Sequence, residues 1–287
     1  MSRNYKRAIN VTVFKGADQA GLEIKNLRIS IEITKDQLGY PNIGKIEIYN
    51  LNRDNQNRIK NVFDRVVVNA GYEDNIGQVF LGDIRNVEKV RMGPDMITRI
   101  WAGSGDRSYK EGILNYTAGL NTDVRSIIDE AVKSFGDVVV GRIDELVGNK
   151  KIAGASYSGS TRQILDQLSK DYGFNWFIDD GKISVLKPET TLNTENTAVL
   201  ISSTTGMIGV PSVTERGVMA TSLMNHNIKI GKLIKIESQT ETVQLGNLFF
   251  RDINKTIGEG AYKAIKIIHI GDTHGNQWQT ITEGISL

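Results

Sequence analysis

Through the first hundred residues apolar side chains alternate with polar ones. Leu27, Ile29, Ile31 and Ile33 fall on every second position, and Ile46 with Ile48, then Val66, Val68 and Ala70, keep the same period. A period of two is that of a half-buried strand. Turn residues interrupt the alternation at Gly39-Tyr40-Pro41-Asn42 and at Glu73-Asp74-Asn75-Ile76-Gly77. Gly93-Pro94-Asp95 separates two apolar-polar runs and predicts a hairpin. One short helix is expected after Asp54, which can cap it, with Ile59, Val62 and Phe63 on one face. Several short antiparallel strands of this kind predict a barrel or sandwich.

From about residue 106 the period lengthens. Thr122 is placed to cap a helix in which Val124, Ile127, Ile128, Ala131, Val132 and Phe135 recur at helical spacing before Gly136. A second helix is expected from Ser160, with Gln163 at capping-box spacing, Ile164, Leu165, Leu168 and Tyr172 as its apolar face, and Gly173 at its end. The run FNWFIDDGKISVL then reads as a hairpin turning at Asp180-Gly181. A polar tract, KPETTLNTENT, closes this α+β piece. Beyond residue 197 the pattern is again β: Ile228, Ile230, Leu233, Ile234 and Ile236 flank Gly231-Lys232, and Tyr262 to Ile270 pairs with Trp278 to Ile281. The expected division is therefore 1–105, 106–196 and 197–287, mainly β with an α+β insert.

The two β regions echo each other. With one gap, Ile84 falls on Ile265, Val87 on Ile268, Gly93 on Gly275, Met96 on Trp278 and Thr98 on Thr280. Any two amphipathic hairpins share part of this pattern, so the echo suggests duplication without requiring it.

Composition narrows the function classes. The chain has 287 residues and no cysteine, which removes disulfides, thiolate metal sites and cysteine nucleophiles and fits assembly in a reducing cytoplasm. Net charge is +2 with Lys and Arg dispersed among the acids, unlike a protein that holds nucleic acid by neutralising phosphates. No run approaches the ~18 apolar residues of a membrane span, and the basic N-terminus MSRNYKRAINVTVFKG has no apolar signal core.

One stretch looks chemical. Gly271-Asp272-Thr273-His274-Gly275 resembles the first metal-binding motif of the phosphoprotein-phosphatase type of metallophosphoesterase. That chemistry needs further Asp, Asn and His ligands downstream, and here Glu283 is the only later acid, with no later histidine. A β-turn with structural Gly271, Asp272 and Gly275, and a solvated His274, is the better reading, level with the histidine-free turn at Gly93. Asp179-Asp180 reads as a hairpin turn, Ser158-Gly159-Ser160 as a helix cap, and Gly103-Ser104-Gly105 lacks phosphate-loop spacing. Trp101, Trp176 and Trp278 lie on expected strands and read as packing residues. No metal, cofactor or catalytic residue is assigned.

The segment LISSTTGMIGVPSVTERGVMATSLMNHNIKIGKLIKI, Leu200 to Ile236, resembles a segment of phage baseplate hub proteins from contractile tails. Thr205, Gly206, Met207, Ile208, Gly209, Pro211, Gly217, Val218, Leu223, Met224, Asn225, Ile228 and Gly231 carry the likeness, and His226 replaces the usual proline. Ile46 to Ile59, Val68 to Ile84 and the C-terminal IIHIGDTHGNQWQTITEG are also similar. The resemblance implies a structural protein: a homotrimer with two tube-type antiparallel β-barrels per chain flanking the α+β module. Three such chains would form a pseudo-sixfold ring between tail tube and spike, contacting other baseplate proteins and passing genomic DNA without reading its sequence. It would be assembled in the host cytoplasm and located in the virion baseplate. Thr205, Gly206, Met207, Ile208, Gly209 and Pro211 would then form a subunit-interface loop. Alternatives are the hub of a tailocin or other injection system and, more remotely, a glycan-binding module using Trp176 or a hydrolytic tail protein.

Overall fold

A computed structural model describes residues 6–16, 18–37, 40–145, 152–213, 217–238 and 260–287. The chain is mainly β and antiparallel, with four short α-helices among these residues. The first region contains β1 (Arg7–Lys15), β2 (Asp18–Ile24), β3 (Ile29–Asp36), β4 (Ile43–Tyr49), α1 (Arg53–Asn61), β5 (Arg65–Tyr72), β6 (Asn75–Met92) and β7 (Asp95–Gly103). The alternating positions are the buried ones: Ile29, Ile31, Ile33, Ile46, Ile48, Val66, Val68 and Ala70 enclose one core. Gly93 takes φ 60° in a two-residue connection from Met92 to Asp95, the left-handed start that suits a tight hairpin. The cap of α1 is Asn52, whose side chain accepts from the Asn55 amide at 2.8 Å, whereas Asp54 lies within the helix. Ile59 is buried as expected, and Val62 is exposed at the helix end. Gly39, in the expected turn before Tyr40, lies outside the described residues.

The middle piece contains α2 (Asp106–Glu111), β8 (Ile113–Ala118), α3 (Val124–Lys133), β9 (Val139–Ile143), β10 (Ala155–Ser160), α4 (Thr161–Tyr172), β11 (Asn175–Asp179) and β12 (Lys182–Leu186). The apolar faces of α3 and α4 pack on these strands around a second core. The expected caps differ in detail. Asp123 occupies the cap position of α3, and the Thr122 hydroxyl donates instead to the Gly119 carbonyl at 2.8 Å. Ser160 precedes α4 without a side-chain cap bond, so no capping box forms with Gln163. Asp180 (φ 51°) and Gly181 (φ 74°) make the tight turn between β11 and β12. Trp176 is buried against Phe135 and Tyr109 and donates Nε1–H to Asp166 at 3.0 Å, which leaves no open face for a sugar ring.

The last region contains β13 (Val199–Ser202), β14 (Met207–Val213), β15 (Val218–Leu223), β16 (Leu233–Glu237), β17 (Gly260–Asp272) and β18 (Trp278–Ser286). A third core forms around Ile201, Val218, Ala220, Ile228, Ile230, Ile234, Ile236 and Ile267. The two β regions do not form separate sheets. β3 pairs with β17, so one sheet runs in the order β14-β15-β18-β17-β3-β4-β7-β6-β5-β1-β2, with β16 joining β17 and β13 joining β16.

The echo between the regions is carried by this topology. The first unit has the order β3-β4-β7-β6-β5-β1, and the second repeats it as β14-β15-β18-β17-β16-β13. The correspondence preserves chain order; β2 has no counterpart, and β13 lies parallel to β16 where β1 is antiparallel to β5. Each long hairpin carries a β-bulge, at Arg85 in β6 and at Ile265 in β17. Four residues on, Lys89 faces buried Thr98 and His269 faces buried Thr280. The second strands align as read from sequence, Met96 with Trp278 and Thr98 with Thr280. The first strands align by their bulges, so Arg85 rather than Ile84 matches Ile265. The connection in the second copy is longer instead.

Candidate functional site

The turn after β17 is built by Asp272. Its Oδ1 accepts from the amides of His274 (2.8 Å) and Gly275 (2.9 Å), and its Oδ2 binds the Arg28 guanidinium at 2.8 Å. Burial opposes this charge, but Arg28 and the two amides outweigh it and hold the carboxyl below its usual range. Gly271 and Asp272 are the last residues of β17, and the ring of Trp278 lies over Gly271. Thr273 pairs with Ile29 through its amide to the Ile29 carbonyl, 3.1 Å, and its hydroxyl accepts from the Ile29 amide, also 3.1 Å. Arg7 donates to the Gly275 carbonyl at 2.6 Å and stands over Trp278, whose ring meets Tyr72 edge-on at 6.1 Å. Trp278 therefore packs into the core of the first region. His274 is exposed, and among the described residues no group of three or more His, Cys, Asp or Glu side chains could hold a metal. His269 is buried and pushed down to about 3 by burial, so it is a neutral hydrogen-bond partner of Thr280 at 2.9 Å. The turn clamps the two β regions together. Asp272→Ala is expected to lose about 1–3 kcal/mol of stability, whereas His274→Ala should stay within about 0.5 kcal/mol, as read from urea unfolding midpoints.

The Thr205 to Pro211 stretch is a strand, not a loop, from Met207 onward. Thr205 closes the preceding turn: its hydroxyl donates to the Leu200 carbonyl at 2.9 Å and accepts from the Ser202 amide at 2.8 Å. Gly206 has φ 98° and lies against Leu223, where a Cβ would stand 3.0 Å from Cδ1. Met207 packs on the third core, while Ile208 is exposed. Between Ile208 and Ser212 this strand carries two more residues than β15 opposite, which places Gly209 and Pro211 in a bulge. The turns at Gly93 and Gly275 and the bulge at Gly209 belong to three separate hairpins of the one sheet.

A buried charge cluster lies where the three regions meet. Lys35 on β3 is 1% exposed; its Nζ binds Asp179 at 2.7 Å and Asp180 at 3.0 Å. Lys229 binds the other oxygen of Asp180 at 2.8 Å, and Asn42 donates to Asp179 at 3.2 Å. Burial works against the Lys35 charge, and the two carboxylates more than offset it, so its pKa lies above the usual lysine value. Burial likewise opposes the Asp180 charge, but Lys35 and Lys229 hold it far below the usual carboxylate range. Burial, with Asp180 alongside, pushes the Asp179 carboxyl above its usual range although Lys35 and Lys229 oppose it, so Asp180 is the firmer anion set against the two lysines. The sequence held one signal for this cluster: Lys35 falls on the apolar phase of Ile29, Ile31 and Ile33. A second buried lysine, Lys263 on β17, donates to the carbonyls of Lys187 (3.1 Å) and Pro188 (3.2 Å) and is lowered to about 8 by burial. His226 lies against Gly77 of β6, where a Cβ would stand 2.2 Å from the ring.

These contacts join elements of the three regions. A family model described as baseplate hub gp41 matches residues 8–243. The fold is similar to that of a 43 kDa tail protein of prophage MuSo2 from Shewanella oneidensis, with 11% identity, a TM-score of 0.64 and 98% of each chain covered. It is similar to a tail protein from Neisseria meningitidis MC58, with 9% identity, a TM-score of 0.61 and coverage of 98% of this chain and 97% of that one. An E. coli component of the type VI secretion system also shares the fold, with 9% identity, a TM-score of 0.57 and coverage of 91% and 73%. A search of curated protein sequences returns no match. The chain belongs to the baseplate hub gp41 family, the structural proteins of the phage tail baseplate.

Proposed function

We propose that this protein is the hub of a contractile phage tail, a homotrimer that joins the tail tube to the spike and lets genomic DNA pass on ejection. The observation that supports this reading most is the repeated topology. One chain carries two units of the same strand order in one sheet, so three chains present six similar units. Such a ring matches a sixfold tube on one side and a threefold spike on the other. In this reading each unit contributes one tube-type barrel wall, with the divisions 1–105, 106–196 and 197–287; the three buried clusters favour them, apart from Met224 and Trp278, which join the first cluster, and Phe177 and Leu186, which join the third. Closing the sheet across subunits removes exposed strand edges. A net charge of +2 suits a conduit that must not retain DNA. The protein acts as an adaptor and not as an enzyme. The shared fold of the type VI secretion component supports a second reading, the hub of an injection machine without a virion.

The test is the mass of the purified protein in solution. Light scattering should give three times the 31.8 kDa chain mass, and negative-stain images should show a ring with a central opening. A monomer persisting at high concentration would count against the hub.

A further inference from the structure

Within the first unit, β6 changes partner along its length: Asn75–Asp83 pairs with β5 on one side, and Asp83–Met92 pairs with β7 on the other. Beyond Asp83 the side once held by β5 carries no strand among the described residues. Its counterpart β17 is built the same way, pairing with β16 near Gly260 and with β18 along its length. There the equivalent side is filled, because Lys266–Asp272 pairs with β3, the outer strand of the first unit. The counterpart of β3 in the second unit is β14, which pairs with β15 and has no strand on its other edge among the described residues. One chain therefore holds one completed junction and the two unmated halves of another.

We propose that β14 of one copy adds antiparallel to Asn86–Met92 of β6 in a neighbouring copy, repeating between chains the junction that β3 and β17 make within one. The register follows from the repeat. The bulges place Met92 at the position of Asp272 and Val90 at that of Ile270. Pairing through β15 and β18, compared with β4 and β7, places Ile208 at the position of Ser30 and Ser212 at that of Glu32. Ser30 faces Asp272 and Glu32 faces Ile270, so Ile208 is set opposite Met92 and Ser212 opposite Val90. In the intrachain junction the Thr273 amide bonds the Ile29 carbonyl and the Gln37 amide bonds the Ile265 carbonyl. Those bonds mark the hydrogen-bonded pairs; Ser30/Asp272 and Glu32/Ile270 fall in the alternate, closer class.

The side chains at both halves agree with this pairing. Met92 is 56% exposed, Met96 is exposed on the opposite face of the same hairpin, and Ile208 is 41% exposed on the face it shares with exposed Met219. At the completed junction the residue equivalent to Met96 is Trp278, which is 3% exposed. Pro211 offers no amide and the bulge interrupts the middle of β14, so pairing concentrates on Ile208 and Ser212, and promiscuous addition to other sheets is discouraged. The contact is head-to-tail and closes if the rotation per copy allows it; that three copies close it rests on the ring proposed above.

The chain has no cysteine, which makes the test direct. Met92→Cys and Ile208→Cys are introduced together in the full chain, and Val90→Cys with Ser212→Cys in a second variant; cysteines in the closer class of pair lie within disulfide reach. After mild oxidation a non-reducing gel should show covalent dimers and trimers for each double variant, while each single-cysteine chain stays uncross-linked. Peptide mass spectrometry should find the β6 and β14 segments joined. A particle of three-chain mass in which neither pair cross-links overturns the strand pairing and leaves the hub reading standing. A monomer with neither pair cross-linked overturns both.

Discussion

Replacing Lys35 with alanine is expected to lower unfolding free energy by about 3–5 kcal/mol, because it removes the cation bonded to buried Asp179 and leaves Asp180 to Lys229 alone. Among the described residues Lys35 is the only group that binds both Asp179 and Asp180; Lys229 binds Asp180. The loss should appear as a lower urea midpoint and as earlier proteolysis where β3, the β11–β12 turn and the Lys229 segment meet. Acid sensitivity separates charge from packing. Asp180 has a depressed pKa in the folded state, so its contribution is complete above the unfolded value of about 3.9 and is lost as pH falls through the folded one. Without Lys35 the folded value rises, and the acid limb of unfolding should move to higher pH. Adding Asp179→Asn and Asp180→Asn to Lys35→Met should recover at least half of the loss, since no uncompensated anion remains and Asn-Gly suits the same turn. If the triple variant is no more stable than Lys35→Ala, the cluster acts through shape and not charge.

Truncating Trp278 to alanine is expected to cost about 3–5 kcal/mol, as for a large aromatic removed from a core. The residue belongs to the second hairpin by sequence but to the first core by contact, against Tyr72 and under Arg7. Its loss should therefore loosen β3 from β17 as well as leave a cavity. Hydrogen exchange at Ile31 and Ile33 should rise in Trp278→Ala, with Trp278→Phe retaining most of the protection. Unchanged exchange on β3, with only a global drop in stability, would mean that the tryptophan fills space without holding the junction.

What the chain's residue pattern makes legible is local. Period two located β3, β4 and β5 because each has one face in water and one in the core. Helical spacing locates α3 and α4, with Ser160 at the cap of α4 but Asp123 rather than Thr122 at that of α3, since several neighbouring residues can supply a cap. The stretch after Thr205 reads as a loop because Gly206, Gly209 and Pro211 are turn residues; β15 imposes a strand on them, bulge included. The turn nature of the Asp272 segment was legible from missing ligands, but its bond to Arg28 was not. Pairing of β3 with β17 leaves no periodic trace in either strand, because the choice of partner is made by shape and register across the whole chain. The Lys35 cluster is similar: a lysine on a buried phase announces that partners exist without saying where they are.

That junction also sets a schedule for synthesis. Arg28 and Asp272 are 244 residues apart, so at about 5–20 residues per second the edge of β3 waits roughly ten to fifty seconds for β17 to leave the ribosome. During that interval it is the kind of template on which nascent chains aggregate. Lys35 guards it. A lysine on the inward phase keeps the nascent strand from adding to another sheet, its acidic partners arrive with the β11–β12 turn, and only later does β17 cover the edge.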